Sequence, residues 1–221
     1  MPTPPAALPT DAASLRPRAR GKRQAVLAAA GRLFREHGYA EASMDAVAER
    51  AGVSKATLYA YFPGKHELFA AVIQQEGDQK SAGLLLEPRP ADPLRARLLR
   101  HGRAVLDLLL SEETLSSYRM VAAEAARAPE LGRLYYENGA ARLLARLEQV
   151  LGAAMRAGEL RRGPADVAAA QFIGLVRGDL MLRALLCVER VASTRERQAS
   201  VRAGVDSFCR AWGAVQDLAA P

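Results

Sequence analysis

Cysteine, histidine and aromatic residues are all scarce in this 221-residue chain: two cysteines, three histidines and 5% aromatics. Cys187 and Cys209 both lie in apolar helical patterns, so they read as buried free thiols and exclude a disulfide framework. That usage predicts a reducing compartment, the cytoplasm. His37, His66 and His101 stand apart, and no His, Cys, Asp or Glu cluster has ligand spacing, so no metal is expected. A nucleophile–base pair and a glycine-rich phosphate loop are also missing, which argues against an enzyme and against a cofactor. No apolar run approaches the roughly 20 residues of a membrane span, and the start of the chain lacks the apolar core of a signal peptide. Runs of Val, Ile, Thr and aromatics that would make strands are absent too.

What remains is half hydrophobic, dominated by alanine, leucine and arginine, a composition that favours helix. The net charge is +7, with 31 basic residues of which all but four are arginine. A basic excess suits a polyanionic partner such as nucleic acid or an anionic membrane. It equally suits a chain whose composition is simply rich in Ala and Arg.

Residues 1–20 carry five prolines and little apolar bulk, and read as a disordered tail. The basic run Arg16–Arg20 is either a plain solvated segment or an arm for a minor groove. A first helix is predicted over Lys22–His37, with Val26, Ala30, Leu33, Phe34 and His37 on one stripe and Gly38 ending it. Ser43 caps a second helix with Asp45 in its first turn. Gly52 makes a turn, Val53 plugs the angle, and Ser54 caps a third helix from Lys55 to Phe62. Pro63-Gly64 stops it, and Lys65 opens a fourth helix to about Lys80. After a break at Glu87-Pro88-Arg89-Pro90, helices are predicted at 92–110, 112–127, 129–157, 165–190 and 194–218. The expected fold is all-α, with about nine helices.

Two short helices joined by a tight turn over residues 43–62 have the layout of a helix-turn-helix, whose second helix enters the DNA major groove. Leu58 and Phe62 point inward, which leaves Lys55, Ala56, Thr57, Tyr59 and Tyr61 outside. Lys55 and Thr57, at the helix start, suit base edges, and the two tyrosines suit sugar and phosphate. Ser43 and Lys65 each open a helix where a phosphate fits. The bland alternative for each residue is an ordinary cap or a solvated polar group.

Residues 22–80 resemble the DNA-binding head of the TetR/AcrR family of bacterial transcription regulators. The matching pieces are Ala30-x-x-Leu33-Phe34-x-x-x-Gly38-Tyr39, Ser43-Met44-x-x-Val47-Ala48-x-x-Ala51-Gly52-Val53-Ser54, and Thr57-Leu58-Tyr59-x-Tyr61-Phe62-x-x-Lys65-x-x-Leu68. The resemblance implies base contacts from Lys55, Ala56 and Thr57, phosphate contacts from Tyr59, Tyr61 and Lys65, and further DNA contacts from Ser43, Met44 and Asp45. A carboxylate at Asp45 repels phosphate, so that residue either reads a cytosine amine or only caps its helix. The implied organisation is a DNA-binding domain at 21–81 and an effector-binding and dimerisation domain at 82–221.

Residues 117–175 resemble the AefR-like C-terminal subtype, through Arg119-x-x-x-x-Glu124-Ala125, Pro129-Glu130-Leu131, Tyr136-Glu137-x-Gly139, Gly158-Glu159-Leu160 and Ala170-Gln171-Phe172. The family likeness implies a small-molecule effector. Its candidate contacts are Tyr118, Met120, Glu124, Tyr135, Phe172, Arg177 and Met181, each of which is as readily a core or interface residue. Val201, Val205, Phe208, Trp212 and Val215 form a heptad-like seam, and Ala170, Gly174 and Gly178 recur every four residues. These residues predict a four-helix homodimer interface, with packing inside one chain as the alternative. The function expected is a cytoplasmic regulator, a ligand-released repressor on a palindromic operator, with double-stranded DNA, an effector and a second copy as partners and no membrane. The alternatives are an activator, ligand-promoted DNA binding, or a ligand-independent architectural protein.

Overall fold

The computed structural model describes residues 17–81, 92–188 and 192–214. Residues 1–16, the Glu87–Pro90 break and Val215 lie outside them. The fold is all-α. Its helices are α1 (Pro17–Glu41), α2 (Met44–Ala51), α3 (Lys55–Tyr61), α4 (Lys65–Ser81), α5 (Leu94–Leu109), α6 (Glu112–Glu124), α7 (Pro129–Tyr135), α8 (Ala141–Arg156), α9 (Ala165–Arg177), α10 (Leu180–Leu185) and α11 (Thr194–Trp212). No described helix is long and apolar enough to cross a membrane.

Several boundaries differ from the sequence reading, three of them with a clear cause. Helix α1 starts at Pro17, so Pro17–Arg20 belong to a helix and not to a tail or arm. Proline lacks the amide that a first turn leaves unpaired, and alanine and arginine extend helices well. The predicted 129–157 helix is divided by a π turn at Tyr136–Ala140. The predicted 165–190 helix breaks at Gly178, whose φ of 52° and ψ of −136° only glycine adopts easily.

The chain forms two compact units. One takes the chain up to Gln75 together with Ser116–Asn138, and the other takes Glu76–Leu115 and the chain from Gly139 on. In the first unit, Val26, Leu33 and Phe34 of α1, Val47 of α2, Leu58 of α3 and Leu68, Phe69 and Val72 of α4 share one core. Val121 of α6 and Leu131 of α7 complete it. The first four helices therefore do not close their core alone, which the sequence did not reveal.

In the second unit, α5, α8, α9 and α11 surround a core of Leu98, Val105, Leu147, Leu151, Phe172 and Val176. Val201, Val205, Phe208 and Trp212 belong to this core and are buried within the single chain, Val205 completely. This corrects the seam reading: these four residues do not face a second copy. Phe208 meets Phe172 edge-on at 5.1 Å. The Trp212 indole donates to Gln171 Oε1 at 2.8 Å and carries the Arg161 guanidinium 4.8 Å above its ring. Backbone closure comes from the Arg161 amide, which donates to the Trp212 carbonyl at 2.8 Å.

Gly204 makes this packing possible. A Cβ there would lie 2.6 Å from the Leu175 carbonyl oxygen and 2.8 Å from Val176 Cα, both rigid backbone atoms of α9. Helix propensity alone favours alanine at this position by about 1 kcal/mol. Overpacking against backbone costs about 1–3 kcal/mol, so it outweighs propensity. Gly204→Ala is expected to lower stability in urea denaturation by about 1–3 kcal/mol. Ala203→Gly, on the exposed side of the same helix, is expected to cost about 1 kcal/mol or less.

Candidate nucleic-acid interface

The helix-turn-helix is assembled from local chemistry. Ser43 Oγ accepts from the Ala46 amide at 3.1 Å and starts α2. Gly52, at φ 66°, ends it in the left-handed conformation, and the Val53 amide returns to the Ala48 carbonyl at 3.0 Å. Ser54 Oγ then accepts from the Thr57 amide at 3.2 Å and pairs with Thr57 Oγ1 at 2.8 Å, which starts α3. Arg50 pairs with Glu36 and ties the end of α2 to α1. That hydrogen bond holds the Glu36 carboxyl below the usual carboxylate range.

On α3, Leu58 is buried, while Lys55, Ala56 and Tyr59 are exposed and Thr57 is half-buried. Tyr59 exposes 48% of its surface, unusual for a large aromatic on a free helix face. On α2, Ser43 and Asp45 are exposed, and Met44 packs partly against the core. The exposed groups at the two helix starts meet: Lys55 Nζ donates to Asp45 Oδ2 at 2.6 Å. This hydrogen bond raises the Lys55 pKa above that of an ordinary lysine.

Two residues expected on the DNA face lie elsewhere. Tyr61 exposes only 5% of its surface and belongs to the core. Leu58, Tyr61 and Phe62 stand at i, i+3 and i+4 on one stripe, so Tyr61 is not on the outer face. Lys65 is equally committed. Its ammonium donates to the carbonyls of Tyr39 at 2.9 Å, Ala40 at 3.0 Å and Ala42 at 3.1 Å. These carbonyls lie where α1 runs out, so all three lysine donors serve the fold and none is left for a phosphate. The same ammonium lies 4.7 Å from the Tyr39 ring centroid, and burial lowers its pKa.

Tyr39 is stacked on Phe34 and edge-on to Phe69, and its buried hydroxyl has no hydrogen-bond partner among the described residues. Burial, then the Glu130 and Glu67 carboxylates, push the phenol up to about 12.

The effector candidates fall in both units. Tyr118 and Tyr135 meet edge-on at 6.1 Å, Met120 and Tyr135 pack against the first core, and Glu124 is half-buried. Phe172 is fully buried against Phe208, and Met181 packs with Leu115 and Ala184. Arg177 and Asp179 are exposed. A surface pocket of about 290 Å³ opens between α5 and α11, above Leu106 and Val201. Its rim is Arg103, Asp107, Thr194, Arg197 and Gln198, with Arg197 paired to Asp107 at 3.3 Å. None of these is an effector candidate from the sequence, because charges on two helices far apart in the chain carry no shared local signal.

The sequence and the fold resemble those of known proteins. Residues 26–72 match the model of bacterial regulatory proteins of the tetR family, and residues 96–214 match the AefR-like transcriptional repressor C-terminal domain. The flavonoid-responsive regulator FrrA is 37% identical with a TM-score of 0.73, covering 87% of this chain and 97% of FrrA. A TetR transcriptional regulator from Agrobacterium tumefaciens is 28% identical with a TM-score of 0.72, covering 91% of this chain and 97% of that one. The transcriptional activator FasR of Mycolicibacterium smegmatis is 37% identical over 100 residues, 45% of each chain. The chain thus spans under half the length of that curated relative.

Lys65→Met is expected to destabilise the protein by about 1.5–3 kcal/mol, the scale of a charged hydrogen-bond partner. The salt dependence of DNA binding by the folded fraction should not change, whereas loss of a phosphate contact would lower the slope by about 1. Tyr39 predicts an alkaline effect. From pH 10 toward 12 the unfolded phenol has lost its proton and the folded one has not. Stability therefore falls as pH rises through that window. Tyr39→Phe should remove this part of the pH dependence in denaturation curves without lowering stability at neutral pH.

Proposed function

The chain belongs to the TetR family of bacterial regulators and is a DNA-binding transcription regulator; from that premise we propose that it is a repressor that grips a palindromic operator as a homodimer and lets go when a small effector binds. In this reading residues 21–81 read DNA, residues 82–221 sense and dimerise, and the protein works in the cytoplasm. The observation that carries it is the outer face of α3, where Lys55, Ala56 and Tyr59 are exposed on a helix held from behind by Leu58, Tyr61 and Phe62.

Exposed apolar side chains support the homodimer. Val167, Ala170, Gly174 and Leu175 leave an open face on α9, and Leu182 of α10 and Leu186 just after it expose 59% and 66% of their surface. Large apolar side chains exposed on two consecutive helices suit an interaction site. Gly174 has nothing within 4 Å of a built Cβ, so its close-approach role would be toward a second copy. Val201, Val205, Phe208 and Trp212 have no part in that interface.

For the effector we keep Tyr118, Met120, Glu124, Tyr135, Phe172, Arg177 and Met181 as candidates. The likeness to a flavonoid-responsive regulator makes planar phenolic compounds the first class to try. The effector would shift the population toward a head spacing that no longer fits DNA. Operator must then weaken effector binding by the same factor that effector weakens operator binding. The sign has one specific competitor, since FasR is described as an activator. Reporter transcription with and without the protein decides between them.

Selection of genomic fragments with the purified protein, followed by footprinting, should yield a protected palindrome. Leu175→Glu is expected to give a monomer in sedimentation and to weaken operator binding at least tenfold, since one head loses the effective concentration supplied by the other. Tyr59→Phe should weaken all operators alike, and Thr57→Ala should change preference at one or two base positions. Weak binding with no preferred site would remove the ligand-released repressor reading, in favour of an architectural role or of a head that reads DNA only with its ligand bound.

A further inference from the structure

We propose that Asp45 and Lys55 act as one unit that reads a single G·C base pair, and that Asp45 sets specificity by withholding Lys55 from phosphates. The inference rests on the DNA-reading role of α3 given above.

The pair sits where α2 and α3 begin, with Asp45 second in α2 and Lys55 first in α3. Its two side chains are 59% and 66% exposed, and Nζ lies 2.6 Å from Oδ2. An exposed ion pair is weak and exchangeable, so it does not explain the fold. Its effect on a polyanion is larger. A phosphate approaching Lys55 meets the Asp45 carboxylate beside it, and the lysine charge is largely cancelled.

A G·C edge in the major groove behaves differently. Guanine offers O6 and N7 as acceptors, and the cytosine N4 amine lies next to O6 as a donor. The N4–O6 hydrogen bond of the base pair spans about 2.9 Å, close to the Nζ–Oδ2 separation. Lys55 can donate to O6 while Asp45 accepts from N4, without breaking the bond between the two side chains. A T·A pair offers the same neighbouring acceptor and donor in O4 and N6, but it puts a methyl group where guanine has N7, so a second Lys55 donor is met only by G·C. The repulsive element against phosphate and the attractive element toward one base pair are thus the same carboxylate.

The test uses the full-length protein and its Asp45→Asn variant, with random-duplex selection and titrations of the selected site and a scrambled duplex over a salt series. Wild type is expected to select a palindrome with a G·C pair at the same place in each half-site. Asp45→Asn should relax preference at that pair roughly tenfold and bind scrambled DNA more tightly. Its salt slope on scrambled DNA should steepen by about 1 as Lys55 becomes free for a phosphate. Lys55→Gln added to Asp45→Asn should abolish that steepening. The inference is overturned if Asp45→Asn, shown by circular dichroism to be folded, leaves preference and scrambled-DNA slope unchanged, or loses preference at every position alike. If wild type enriches no site, the regulator reading fails first and takes this inference with it.

Discussion

The reading face depends on one ammonium group. Helix α1 is interrupted at Gly38, whose φ of 80° and ψ of 167° are not helical. The carbonyls that follow have no helical partners of their own. Lys65, the first residue of α4, collects three of them. In the sequence, α2, the turn and α3 lie between those carbonyls and Lys65. Helix α3 is therefore strung between the two sides of one hydrogen-bonded knot. Capping by Ser43 and Ser54 fixes each helix locally, but the knot fixes where the pair begins and ends.

Much of the head was legible because its signals are local. Ser43, Gly52, Val53 and Ser54 each act on backbone within five residues, and each does in the structure what its type suggested. Lys65 was misread because its partners are backbone carbonyls 23 to 26 residues earlier, and a carbonyl has no sequence signature. Tyr61 was misread because α3 has only seven residues. Over so short a span, the inward stripe is set by what packs behind it. The contribution of Val121 and Leu131 to the first core was invisible for the same reason.

The body shows a different limit. Heptad spacing in α11 states that one face is buried, but it does not state by which helix. Val201, Val205, Phe208 and Trp212 satisfy the pattern against α5 and α9 of their own chain. The residue that decides this is Gly204, which the apolar pattern skips because it contributes no side chain. Once α11 is committed inward, the small and apolar residues left outside on α9 acquire a different meaning. Ala170, Gly174 and Gly178 were read as interface residues together with the seam, and all three remain exposed.

Net charge led toward a polyanion for a reason the structure weakens. Lys55, Arg50, Arg95, Arg97, Arg100, Arg142, Arg146, Arg183 and Arg197 are all held in ion pairs, with partners that run from Glu36 of α1 to Asp206 of α11. A positive surface of paired charges attracts a uniform phosphate rod less than the same charges unpaired, since each carboxylate offsets its cation at short range and salt screens the remainder. Affinity for DNA must then come from a few matched contacts, multiplied in the proposed homodimer by the linkage of two heads. Such a balance lowers binding to bulk DNA more than binding to the right site. In a regulator that has to find one operator among many competing sequences, the paired charges and the net charge of +7 are therefore not in conflict.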